Sequence, residues 1–478
     1  MNYSGILYIF GLFTVFFSLF MLLTTGVAYV LGDPQFSTFL LCGLGIFFLG
    51  GVLCLLFKRS YLELNHRDGI LLTCLTWVGL SFIGAIPVMV SQIASPLDAL
   101  FEVTSGLTTT GATIFTDIES LPPSILFWRA LLQWLGGMGI IVLAIAILPF
   151  LGVGGMQLYR SEMPGVTKDK LQPRLHKTAA ALWGIYAFLT FCCIGAYRLA
   201  GMSWFDAFCH AFTTVATAGF ANYDASFAHF NSLAIENIAV FFMILGALNF
   251  GLHFQFFRKP WHLPYASSPE SRIFFLLLIT SVAIGAVVLQ LGDDAAPLRH
   301  ALFNFTSIVT TTGFATTDFA AWPPVLLLLI LLLSFIGGCS GSTSGGMKVL
   351  RIMLIFRQGQ REMARLLHPH GVQHIKMHGQ PVAMPILQAV WAFAGLFIIS
   401  FIVIAFLLAA CGLDILTAFS AAAATLTNVG PGIGGVGPLN GYGHLPDAAK
   451  LILCMAMLLG RLELFTFLML IYPPFWRR

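Results

Sequence analysis

Four short segments of this 478-residue chain end in the same chemistry. They read DALFEVTSGLTTTG (98–111), DAFCHAFTTVATAG (206–219), HALFNFTSIVTTTG (300–313) and TAFSAAAATLTNVG (417–430), and they align without a gap. Their last residues are Thr109-Thr110-Gly111, Thr217-Ala218-Gly219, Thr311-Thr312-Gly313 and Asn428-Val429-Gly430. What such residues offer is main-chain oxygen. Glycine supplies conformations that other residues resist and lets chains approach an axis. Small neighbours leave carbonyls free to point inward. Four such turns together form a ring of carbonyl oxygens, the usual replacement for the hydration shell of an alkali cation. A lone T-T-T-G is ordinarily a turn between helices; four at matched positions make a set.

The elements that must position this ring follow from length. Thirteen helical residues cover about 20 Å, too short to cross a bilayer. Each segment follows one apolar span and precedes another, so it reads as a re-entrant helix whose chain returns in extended form. Such backbone survives at membrane depth only where it lines a watery path. The carboxyl ends of the four short helices add partial negative charge beside that path. The fold expected is an all-α polytopic membrane protein. Four units of membrane helix, pore loop and membrane helix surround a pseudo-fourfold pore, after two extra N-terminal transmembrane helices. The boundaries are 1–66 for the N-terminal pair, then 67–176, 177–270, 271–378 and 379–478 for the four repeats.

Composition agrees. The chain is 58% hydrophobic and 9% charged, against about 25% charged residues in soluble proteins. This excludes an ordinary cytosolic enzyme, a disordered chain and a nucleic-acid binder, which needs a basic face. Nine uncharged stretches are long enough to span or to contain a span: 5–31, 36–57, 69–97, 130–159, 178–197, 237–257, 273–292, 319–347 and 379–413. A tenth, about 446–470, is broken by Arg461 and Glu463. The first stretch lacks a basic leader and a small-residue cleavage site, and reads as a retained span. The nine cysteines contain no C-x-x-C pair, lie mostly inside apolar spans and read as packing thiols without a disulfide framework.

Ten spans put both termini on one side. With connections assigned alternately, one side holds 19 of the 24 Lys and Arg, the other holds only Arg129, Arg198, Arg299 and Lys450, and Arg461 is on neither. The basic side is therefore expected in the cytoplasm, with both termini. The opposite side carries 13 of the 20 acidic residues, a surface that gathers cations. Asp117, Asp224 and Asp318 follow their filter glycines by six, five and five residues and are candidates for an outer mouth.

The span after each filter is expected to be interrupted, at Gly136-Gly137, at Gly246 with Asn249-Phe250-Gly251, over Gly337–Lys348, and at Gly460-Arg461. The third interruption, GGCSGSTSGGMK (337–348), holds a helix poorly. It reads as an intramembrane loop obstructing the path below the filter. The gate residues expected are Gly337, Gly338, Ser340, Gly341, Gly345, Gly346 and Lys348, with Arg461. An Arg at mid-bilayer costs about 2.5–3.5 kcal/mol on insertion scales and must face protein or water. Arg461 is expected to pair with loop carbonyls or Glu463, or to act as a barrier to ions.

Together with TTTGAT (108–113), QWLGGMGI (133–140), GVGGMQLYRSEMPG (152–165), the Gly337–Lys348 run and GRLELFT (460–466), the chain resembles the Trk/Ktr/HKT superfamily of potassium transporters over nearly its whole length. Within it the chain is most similar to the potassium-translocating membrane subunit of the bacterial Trk system. The resemblance implies potassium uptake across the bacterial inner membrane, by a multi-pass homodimer with a pore in each protomer. It implies a cytosolic TrkA-like ring that binds the regulatory nucleotide, so that this chain needs no cofactor of its own and binds potassium as cargo. All four filter glycines are present, which in this superfamily favours potassium over sodium. The departures T-A-G and N-V-G bear on side chains, not on main-chain ligands.

Alternatives stay open at this point. A proton-coupled symporter is one, and a sodium-permeable member of the family another. A secondary transporter of two inverted halves fits less well, because the four units run parallel. An intramembrane serine protease built on Gly338-Cys339-Ser340-Gly341 would need a histidine, and His253 is the single candidate. His370, His374 and His378, near His368, have helical i, i+4 spacing suited to metal, but Pro369 and Gly371 favour a solvated loop.

Overall fold

The computed structural model describes residues 1–58, 65–146, 171–258, 261, 263–369, 371, 374–377 and 380–477. The GVGGMQLYRSEMPG motif, most of the basic loop 160–177, Lys259, His370, His378 and Arg478 lie outside them.

The described residues are helical apart from loops and a two-residue hairpin pairing Lys376–Met377 with Gln380–Pro381. Tyr3–Leu31 and Phe36–Phe57 form the N-terminal pair. Their axes come close because Gly11 and Gly50 face each other's backbone, and a side chain at either would overlap the partner helix. Long first helices open the repeats: His66–Val90, Leu171–Leu199, Pro269–Leu291 and Met384–Ala410. They bury small residues and aromatics inward and leave Leu199, Leu291 and Phe406 on the outside, as a helix against lipid does.

Each first helix leads to a short one: Pro96–Leu107, Trp204–Val215, Pro297–Val309 and Ile415–Leu426. Their starts are specified locally. Ser95, Ser203 and Asp414 accept a hydrogen bond from the N–H three residues on, at Asp98, Asp206 and Thr417. The third has Pro297 in its first turn instead.

Among the described residues six helices are long and apolar enough to cross a bilayer. A seventh forms if Leu233–Ala247 and Phe250–Arg258, bent by 96°, count as one. The expected spans 319–347 and 446–470 appear as helices of 13 and 15 residues, Pro324–Ile336 and Asp447–Arg461, each followed by irregular chain. The interruption expected at Gly136-Gly137 is not there: Pro123–Ala146 is one helix. Its glycines serve close approach. A methyl on Gly136 would overlap the Leu107 carbonyl at the end of the first short helix.

Candidate ion pathway

The four short helices end identically. In the first, Thr109 N–H bonds the Gly106 carbonyl (3.0 Å) and Thr110 N–H the Ser105 carbonyl (2.9 Å). This is the Schellman pattern, which needs a left-handed residue just past the cap. Glycine normally takes that place; here it is Thr109 (φ 53°), Thr217 (49°), Thr311 (55°) and Asn428 (55°). A left-handed non-glycine costs roughly 1–2 kcal/mol. The same strain at four equivalent positions marks them as held by their surroundings.

The glycine two residues on closes the set. A Cβ on Gly111 would overlap the Ala218 carbonyl oxygen, one on Gly219 that of Thr312, one on Gly313 that of Val429, and one on Gly430 that of Thr110. Each repeat's glycine lies against the carbonyl of the next, and the fourth returns to the first. Of the twelve residues expected at the filter, the four glycines and the residues just before them therefore meet in one closed ring, with left-handed φ of 81°, 88°, 87° and 98° at its glycines. The T-A-G and N-V-G departures change local bonding. Thr108 and Thr110 share a hydroxyl bond of 2.7 Å and Thr310 and Thr312 one of 2.8 Å, which Ala218 and Val429 cannot make.

A second set of side chains fixes the returning strands. Glu102 accepts from Ile114 N–H (2.9 Å), His210 Nε2 from Asn222 N–H (3.4 Å), Asn304 Oδ1 from Thr316 N–H (3.2 Å) and Ser420 Oγ from Ile433 N–H (2.9 Å). All four amides lie three residues past the filter glycine. Sequence reasoning passed over these braces, although a polar residue recurs near the fifth position of each apolar segment. Glu102 also holds Arg129 at 2.7 Å, both buried. Arg129 reaches the Ala221 carbonyl (3.2 Å) and lies over the Phe220 ring.

Above the ring a hollow is rimmed by Gly111, Gly219 and Gly313, with Arg129, Tyr223 and Asp224 on its wall. Of the three acids expected at the mouth, Asp224 alone lines it, and it accepts from Ile118 N–H at 2.9 Å. Asp117 is exposed and does not line the hollow, and Asp318 caps its own turn through Ala320 N–H.

Below the ring lies the Gly337–Lys348 run, irregular as expected, with left-handed Gly337, Gly341, Gly346 and Lys348. Gly345 N–H donates to Thr311 Oγ1 (2.6 Å), Gly346 N–H to the Thr427 carbonyl (2.9 Å), and Thr343 Oγ1 meets Thr217 Oγ1 (3.0 Å). The run thus touches repeats 2, 3 and 4 just beneath their filter glycines. Gly338 lies against Ser344 and the Ala247 carbonyl, and Ser340 N–H is held by Glu270 at 2.6 Å. Lys348 turns back onto the Ser344 carbonyl. Arg461, fully buried, donates to the Thr343 carbonyl (2.9 Å) and to the Gly136 carbonyl (3.0 Å). Glu463 pairs instead with Arg351 at 2.7 Å. His253 is engaged by Tyr265 and the Leu245 carbonyl and bonds neither Ser340 nor the loop.

A helical membrane protein with four pseudo-equivalent re-entrant units closed around one axis is a transporter of the pore-loop class, and not an enzyme. The profile of the family described as TrkH, cation transport protein, matches residues 37–474. The Trk system potassium uptake protein TrkH of Halomonas elongata is 47% identical, with all of both chains covered. TrkH of Escherichia coli is 43% identical, again over both full lengths. The crystal structure of the potassium transporter TrkH from Vibrio parahaemolyticus superposes with a TM-score of 0.92 at 43% identity over 100% of each chain. The chain belongs to the TrkH family of cation transport proteins.

Proposed function

We propose that this chain carries potassium into the cell through the carbonyl ring of residues 109–111, 217–219, 311–313 and 428–430. The observation that carries this reading is the interlock of four left-handed glycines, each against its neighbour's carbonyl. Main-chain oxygens in such a ring replace water around a dehydrated alkali cation, and the similar proteins named above are potassium transporters. The Gly337–Lys348 run acts as the gate, held by Arg461. Asp224 contributes to the outer mouth. The protein works as a homodimer in the bacterial inner membrane with both termini cytoplasmic, beneath which a TrkA-like nucleotide-binding ring docks on the basic face.

The test is flux into liposomes from purified protein, with potassium against sodium and with or without a pH gradient. Gly111→Ser crowds the turn and adds a hydroxyl, so sodium should compete. Potassium-over-sodium flux that stays unchanged in well-folded Gly111→Ser counts against the filter assignment. Potassium flux driven by the pH gradient alone establishes the proton-coupled alternative.

A further inference from the structure

Two buried side chains reach filter carbonyls from outside the ring. Gln133, on the helix Pro123–Ala146, donates its amide to the Ala218 carbonyl at 2.7 Å and accepts from Phe220 N–H at 3.0 Å. It brackets Gly219 of the neighbouring repeat and is wholly buried. Tyr442 donates its hydroxyl to the Gly430 carbonyl at 2.7 Å, while its own N–H holds the Thr113 carbonyl at 2.7 Å. It too is buried, against the Phe101 ring.

The placement is not random. The ring order puts repeats 2 and 4 opposite each other. These are the two repeats whose filter lacks a second hydroxyl, at Ala218 and Val429. Repeats 1 and 3 have the Thr108–Thr110 and Thr310–Thr312 pairs instead. Among the described residues, no side-chain donor reaches the carbonyls of Thr110, Gly111, Thr312 or Gly313. The ring is fourfold in backbone but not in hydrogen bonding, since Gln133 meets the second filter position of repeat 2 and Tyr442 the third of repeat 4.

We propose that Gln133 and Tyr442 are specificity-determining residues, which set the ion preference of the ring by donating to one carbonyl in each of two opposite repeats. The proposal rests on the filter reading given above. A carbonyl that accepts a hydrogen bond presents a weaker field to an ion and is fixed in place. The number and field strength of the carbonyls bear on the choice between potassium and sodium. Freeing one oxygen raises its field, and a stronger field favours the smaller ion. Among the described residues, neither the Gln133 amide nor the Tyr442 hydroxyl donates to any other acceptor.

Tyr442→Phe removes one hydroxyl and keeps the ring that packs on Phe101; Gln133→Leu removes both amide bonds at similar volume. Purified variants are placed in liposomes and potassium, rubidium and sodium fluxes are measured in competition, with Gly111→Ser alongside. The potassium-to-sodium ratio should fall about three- to tenfold in Tyr442→Phe, the scale of one net neutral hydrogen bond, and by at least as much in Gln133→Leu. A merely structural role lowers all fluxes in proportion and leaves the ratio unchanged. If Tyr442→Phe keeps the unmodified ratio while Gly111→Ser loses selectivity, the proposal is overturned and the filter stands. If Gly111→Ser also keeps its ratio, the filter reading falls with it.

Discussion

Replacing Arg461 by Ala removes a guanidinium that joins two separate pieces of backbone, the Thr343 carbonyl of the loop and the Gly136 carbonyl of the first repeat. Only the first of these bonds holds the loop. A hydrogen bond from a charged donor contributes about 1.5–3 kcal/mol. With about 1.4 kcal/mol for each factor of ten, losing that bond multiplies the open fraction roughly ten- to 150-fold. The Thr343, Gly345 and Gly346 contacts to repeats 2, 3 and 4 remain, so the loop should open more often without coming loose. The assay is potassium flux into liposomes without the regulatory partner. Arg461→Ala should raise this basal flux and weaken its dependence on the partner. Arg461→Lys keeps the charge but not the fork that spans both carbonyls, and should fall between. A purely electrostatic barrier predicts something different: Arg461→Lys would then match the unmodified protein. Deleting part of 339–345 should also raise flux. Combined with Arg461→Ala it should give less than the sum, because both break one contact. Flux that falls in the folded loop deletion would show that the loop supports the path and does not close it.

Glu102→Ala leaves Arg129 buried without its carboxylate, and should cost about 3–5 kcal/mol of stability, read as a lower unfolding temperature in detergent. Gly136→Ala should lower both stability and flux, since its methyl meets the Leu107 carbonyl at the end of the first short helix. On the basic face, Glu362 bonds both Arg361 and Arg365, and the Arg361 guanidinium beside it holds its carboxyl below the usual carboxylate range. Glu362→Gln should therefore free positive charge and tighten salt-dependent binding of an acidic partner, as measured by copurification at rising ionic strength. A depressed carboxyl pKa means the Arg361–Glu362–Arg365 cluster is intact above the ordinary carboxylate range and lost only as pH falls through the lowered value. The contribution of this cluster to partner binding should thus stay flat through neutral and mildly acidic pH.

The repeat, the short helices, the ring glycines, the irregular Gly337–Lys348 run and the burial of Arg461 were legible because each departs from what a simple spanning helix tolerates. Glycine clusters are ambiguous, however. At 337–348 they break the helix, whereas Gly136-Gly137 sits inside an unbroken one. Intrinsic propensity is the same in both places; what differs is the neighbour that the missing side chain makes room for, and that is a tertiary fact. The braces at Glu102, His210, Asn304 and Ser420 share a role but not a residue type, so type-matching hides them. Asp117 and Asp318 sit at the right spacing, yet a loop's direction decides whether an acid faces the mouth, and spacing along the chain carries no direction.

The ring closes where Gly430 meets Thr110, two residues 320 positions apart in the chain. At about 5–20 residues per second, a ribosome needs roughly half a minute between them. Until the last repeat emerges, the chain lacks the Val429 carbonyl that lies against Gly313 and the glycine that lies against Thr110, and Tyr442 is not yet present to hold the Thr113 strand. Assembly of the ring is therefore a final event in the life of the nascent chain. A truncated product ending before residue 430 holds no complete ring, so under the proposed filter role a cell that makes such fragments should gain no ion-selective leak from them.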